Sequence, residues 1–114
     1  MTTIQFKTLI ASAAMLAAAG ASAATMTRAD YGAAKDRISA QYKADSSSCD
    51  GFSGNAKDVC VQQAKGKENV ARAELEANYT GKPDDHAKVA VVKADSTYAI
   101  AKEMCDDKAG NAKD

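Results

Sequence analysis

Residues 49–60 read "CDGFSGNAKDVC", and residues 105–114 read "CDDKAGNAKD", a near-copy that stops two positions before its second cysteine. The match extends upstream, because Ala34, Ile38, Tyr42 and Cys49 recur 56 positions later as Ala90, Ala94, Tyr98 and Cys105, and Gly54–Asp58 recurs as Gly110–Asp114. A fixed period running through a helix stripe, a loop and a helix start marks one helix–loop–helix unit used twice. The first unit spans about residues 27–82 and the second about residues 83–114. The second therefore lacks the valine and cysteine that the period places at positions 115 and 116, and it reads as unfinished. The alternative is a chain that evolved to end here, with Cys105 serving another purpose.

Outward from the repeat, the chain reads as all-α. Alanine, lysine, glutamate, glutamine and arginine favour helix, the only proline is Pro83, and β-branched residues never alternate with polar ones over a strand's length. A first helix starts at Thr27, a capping residue with Asp30 three positions later. It carries Tyr31, Ala34, Ile38 and Tyr42 to an end near Cys49. The run "SSSCDGFSG" from Ser46 to Gly54 is loop chemistry. Asn55 then stands as the cap of a second helix, with Asp58 at its third position, followed by Val59, Cys60, Ala64, Lys67, Val70, Ala71, Leu75 and Tyr79. Gly66 is its weak point, at about 1 kcal/mol against alanine. "TGKPDD" breaks the chain, and a third helix follows Pro83 with an apolar stripe of Ala87, Ala90, Ala94, Tyr98, Ala101 and Cys105. Short connections predict an antiparallel hairpin plus a third helix, up, down and up, each roughly 30–35 Å long by the 1.5 Å rise.

The first 23 residues place Lys7 before an apolar stretch and then the triplet Ala21-Ser22-Ala23, the pattern of a secretory leader cut between Ala23 and Ala24. The alternative is a membrane anchor, but the segment is mostly alanine and barely reaches the ~20 apolar residues of a spanning helix. Cleavage leaves a single helical domain, residues 24–114, exported to the periplasm and not inserted in the membrane. Basic and acidic residues number 15 each in the whole chain and neither forms a block, so neither nucleic acid nor an anionic membrane is an expected partner.

Cysteines flanking helices in an exported chain point to disulfide chemistry. The spacing of Cys49 and Cys60 does not suit a thioredoxin-type redox pair, and no further Cys or His ligands accompany it for zinc. It suits a staple across the interhelical loop, leaving Cys105 as an unpaired thiol or the link of a disulfide-bonded dimer. His86 beside Asp84 and Asp85 is a conceivable metal cluster, but adjacent residues at a helix start diverge and no second histidine exists. "DSSSCDG" from Asp45 lacks the glutamate of a calcium loop, since Ala56 holds that place. No serine has a partner histidine beyond His86, no phosphate loop is present, and the paired acids Glu74 with Glu76 and Asp106 with Asp107 read as solvated. No catalytic residue, cofactor site or metal site is assigned.

The motifs "GNAKDVC", "ARAELEANYTGKPDD" and "AKEMCDDKAGNAKD" give the whole chain a resemblance to a family of small exported proteins of Gram-negative bacteria. The family is built from Cys-x10-Cys helical hairpins and has no characterised function; some members are labelled cell-envelope biogenesis proteins similar to TolA. Members look longer, continuing after the second GNAKD into "VC", and this chain departs from them there. In this chain the stapled hairpins are expected to present charged faces to protein partners in the envelope. The expectation is thus a non-enzymatic periplasmic protein with a structural or interaction role in the cell envelope. The alternative is a periplasmic small-molecule or metal-binding protein using the helical groove around Tyr42, Tyr98 and the acidic ends.

Overall fold

A computed structural model of the chain describes residues 25–106 and residue 108. The cleavage site between Ala23 and Ala24 and the second GNAKD run lie outside the described residues. Three helices account for nearly all of what is described: α1 (Arg28–Ser48), α2 (Gly54–Thr80) and α3 (Pro83–Asp106), with one 3-10 turn at Cys49–Gly51 between the first two. At 1.5 Å per residue they measure about 32, 41 and 36 Å, so α2 exceeds the expected length.

The helix ends follow local chemistry. Thr27 caps α1, its hydroxyl oxygen accepting from the Asp30 backbone N–H at 3.1 Å while the hydroxyl donates to the Asp30 carboxylate at 2.6 Å. At the far end of α2, Gly81 takes the left-handed conformation (φ +64°) and its N–H donates to the Ala77 carbonyl at 2.9 Å, closing the helix where a side chain would strain. Pro83 opens α3, where its missing N–H costs nothing, and Asp84 and Asp85 occupy the positive end of the helix dipole. Asn55 does not cap α2. The helix begins at Gly54, with Ser53 at the cap position, and the Asn55 side-chain amide instead donates to the Glu103 carbonyl at 2.7 Å. One of the otherwise unpaired carbonyls at the C-terminal end of α3 is thereby satisfied, and the start of α2 is tied to the end of α3.

Both neighbours run antiparallel to α2. Tyr31 meets Tyr79, Ser39 meets Arg72, Asp45 meets Lys67 and Cys49 meets Cys60, so residue numbers rise on α1 as they fall on α2. On the other side, Gly66 lies against Ser96 and Ile100, and Glu74 pairs with Lys93. The two seams use different faces of α2. Ala64, Ala71, Leu75 and Tyr79 fall on one stripe at helical spacing, whereas Gly66, Val70, Ala73 and Ala77 fall on a stripe about half a turn away. The mixed spacing of apolar residues along α2 is the signature of this two-sided burial.

The result is a flat ribbon with α2 in the middle, and extensive packing is confined to α1 with α2 and α2 with α3. Its core is correspondingly thin: among the described residues the buried apolar side chains are Cys49, Ala64, Leu75 and Ala77. Gly66 is buried as well, and it marks the closest approach of α2 to α3. A Cβ there would stand 3.2 Å from the Ser96 Cβ and 3.6 Å from the Ile100 Cδ1. Gly66→Ala should stay within about 1 kcal/mol of the parent, because the gain in helix propensity offsets a shift of α3 by a few tenths of an ångström. Gly66→Leu should lose roughly 1–3 kcal/mol by overpacking. Denaturant unfolding in which leucine stabilises as much as alanine would show that α3 does not pack at this point.

Candidate interaction surface

The third helix does not bury the stripe that the repeat assigned to it. Its partly covered residues are Asp85, Val89, Val92, Ser96, Ala99, Ile100 and Glu103, spaced by one, three and four positions, and these face α2. Ala87, Ala90, Ala94, Tyr98, Ala101 and Cys105 are all exposed. They lie about half a turn from the packed face, together with Val91. Tyr98 is 72% exposed and Val91 58% exposed, and Cys105 carries a free, exposed thiol. Both faces of α3 hold apolar residues, and α2 covers the one richer in valine and isoleucine.

The equivalent stripe of α1 has the opposite fate. Ala34, Ile38 and Tyr42 are partly buried against α2, and Cys49 is fully buried and bonded to Cys60. Tyr42, Ile38, Ala64 and Ala71 line the seam, with Arg37, Gln41, Asp45, Lys67 and Glu68 around them, in a groove of about 340 Å³. Both carboxylates there are already paired. Lys67 approaches Asp45 at 3.6 Å, and the Arg72 guanidinium donates to Glu68 at 2.7 Å and to the Ser39 hydroxyl at 3.0 Å. Tyr42 sits in this groove while Tyr98 stands on the outer side of α3, so the two repeat tyrosines do not share a pocket. His86 borders a shallow depression with Glu74, Ala77, Asn78 and Val89. Asp85 is held elsewhere, by the Thr80 hydroxyl at 2.6 Å and by Lys88 at 3.4 Å. Among the described residues no group of three or more His, Cys, Asp or Glu side chains is gathered in a way that could hold a metal ion.

The far end of the α1–α2 seam is a clasp that the repeat did not reveal. Tyr31 stacks on Tyr79 with ring centroids 4.4 Å apart, Lys35 lies over the Tyr31 ring, and the Tyr31 hydroxyl donates to the Glu76 carboxylate at 2.6 Å. The bond to Glu76, then partial burial, hold the Tyr31 phenol above its usual range. A raised phenol favours the fold while protonated, so its contribution is complete below about pH 10 and is lost as pH rises through the shifted value. Asp85 is shifted the other way, held below the usual carboxylate range chiefly by the Thr80 hydroxyl and also by Lys88. Its contribution is present above about pH 4 and is lost as pH falls through the lowered value. Melting curves should therefore show Tyr31→Phe removing part of the alkaline loss and Asp85→Asn part of the acid loss, neither variant touching the opposite limb. A parent and Tyr31→Phe that decline in parallel above pH 10 would exclude the clasp.

No helix among the described residues is long and apolar enough to cross a membrane. Comparison with protein-family models, curated proteins and solved structures finds no match to this chain.

Proposed function

We propose that this chain is an exported, non-enzymatic helical protein of the periplasm with a structural or interaction role in the cell envelope. Its working part is then a helix face and not a catalytic pocket. The observation that carries the reading is the outer side of α3, where Ala87, Val91, Ala94, Tyr98, Ala101 and Cys105 stand exposed on a helix whose other side is already packed. Exposed apolar stripes of this kind mark interaction sites. The leader-like first 23 residues and the stapled Cys49–Cys60 pair support an oxidising compartment, and the resemblance to exported hairpin proteins points the same way.

A periplasmic small-molecule or metal-binding role is the second reading, and the α1–α2 groove is its site. That groove gathers Arg37, Asp45, Lys67 and Glu68, but Asp45 is engaged by Lys67 and Glu68 by Arg72, so its carboxylates do not converge on a vacant centre. The first reading is therefore preferred. Fractionation of an expressing Gram-negative cell tests it: the protein should be released with the periplasm, with an intact mass that begins at Ala24 and lacks two hydrogens for the Cys49–Cys60 bond. Cytoplasmic material that retains Met1 and carries three free thiols would overturn it.

A further inference from the structure

The two halves of the repeat are equivalent in sequence and opposite in environment. On α1 the stripe Ala34, Ile38, Tyr42, Cys49 is covered by α2 and bonded to it through Cys60. On α3 the copied stripe Ala90, Ala94, Tyr98, Cys105 is bare. We propose that the outer face of α3 is a seat for a helix of the α2 type, one with a cysteine near its N-terminus placed to bond Cys105 as Cys60 bonds Cys49. The inference rests on the reading of α3 as the interaction surface and names what that surface takes.

Three further observations favour such an occupant. The face has no charged residue from Ala87 to Cys105 along its centre, whereas the outer side of α1 carries Asp36 and Lys43 among its alanines. A helical array needs a polar face only where it ends, so α1 has the character of an end helix and α3 that of an interior one. Second, α2 already packs neighbours on opposite sides, so a helix on the far side of α3 continues the same ribbon without disturbing a contact. Third, the polar edge of the seat is complementary. Ser39, which accepts from Arg72 at 3.0 Å, is replaced 56 positions later by the exposed carboxylate of Asp95, so an arginine at the Arg72 place of an incoming helix meets a charge in place of a hydroxyl. Where Ile38 stands on α1, Ala94 stands on α3, leaving room for a closer approach.

The test uses a synthetic peptide with the sequence of residues 54–80, its cysteine capped as the mixed disulfide with glutathione. Bonding is then an exchange that needs no external oxidant. The Cys105 thiol loses its proton, its sulfur attacks the peptide sulfur, and glutathione leaves with the electron pair and takes up a proton. The full chain should react with this peptide at least tenfold faster than with oxidised glutathione, and the product should gain helicity. Tyr98→Glu in the chain, or Ala64→Glu with Leu75→Glu in the peptide, should return the rate to that of oxidised glutathione, while Cys105→Ser should abolish the product. Equal rates for the intact and seam-broken peptides would overturn the proposal. So would peptide mapped to Cys49, or a Cys105-linked dimer of the chain that forms in preference to the peptide adduct. The measurement is made on purified protein and is blind to compartment, so its failure is distinct from a failure of the periplasmic reading.

Discussion

Cys49→Ser, or reduction of the parent, should lower the melting temperature by about 12 °C or more, while Cys105→Ser should melt with the parent. The bond closes a loop of about twelve residues. The chain-entropy relation gives that closure about 3 kcal/mol, and a domain of this size loses roughly 4–8 °C per kcal/mol. The ribbon makes the effect local as well as large, because α1 packs extensively on α2 alone and the seam between them holds alanines, three tyrosines, Ile38 and Leu75. Hydrogen exchange on the reduced protein should therefore expose the amides of α1 first, with α2 and α3 remaining protected by their own seam. If Cys105→Ser destabilises as much as Cys49→Ser, or if exchange rises evenly over all three helices, the staple is not what holds α1 in place.

The helices and their ends were readable because they depend on nearest neighbours: Thr27 with Asp30, Gly81 past the end of α2, Pro83 at the start of α3. The staple was readable for the same reason, since Cys49 and Cys60 flank a loop too short to separate them. The buried side of α3 was not readable. Val89, Val92, Ala99 and Ile100 form one apolar row and Ala87, Val91, Ala94, Tyr98 and Ala101 another, so periodicity proposes two faces and cannot rank them. The repeat then favours the second row, which is the one left bare, because equivalence of sequence carries over the kind of partner a face takes and not its presence. Asn55 was misread as a cap for a related reason. Its preference for helix starts is local, but the carbonyl it satisfies belongs to Glu103, 48 residues away. Tyr31 and Glu76 were invisible to the repeat because Ala87 stands at the Tyr31 place in the second unit.

Removing one aliphatic side chain from the covered α1–α2 seam and one from the outer side of α3 should separate a packed face from a bare one by stability alone. Leu75 is 8% exposed and is the one large aliphatic residue buried among the described residues. It falls on the α1-facing side of α2, between the Arg72–Ser39 contact and the Tyr79–Tyr31 stack. Leu75→Ala removes three carbons from a thin seam that it shares with alanines, tyrosines and Ile38 and that lies close to solvent, and should cost about 2–3 kcal/mol, the lower part of the range for buried leucines. Val91→Ala removes two carbons from the outer side of α3, where 58% of the residue already meets water, and should fall within about 0.5 kcal/mol of the parent. Alanine's better helix propensity pushes that variant toward zero or slightly above it. The comparison is made by denaturant unfolding at low micromolar protein, with sedimentation showing a monomer. A Val91→Ala loss approaching that of Leu75→Ala would mean that the outer row of α3 is covered within the folded chain itself, and the seat for an incoming helix would then not exist.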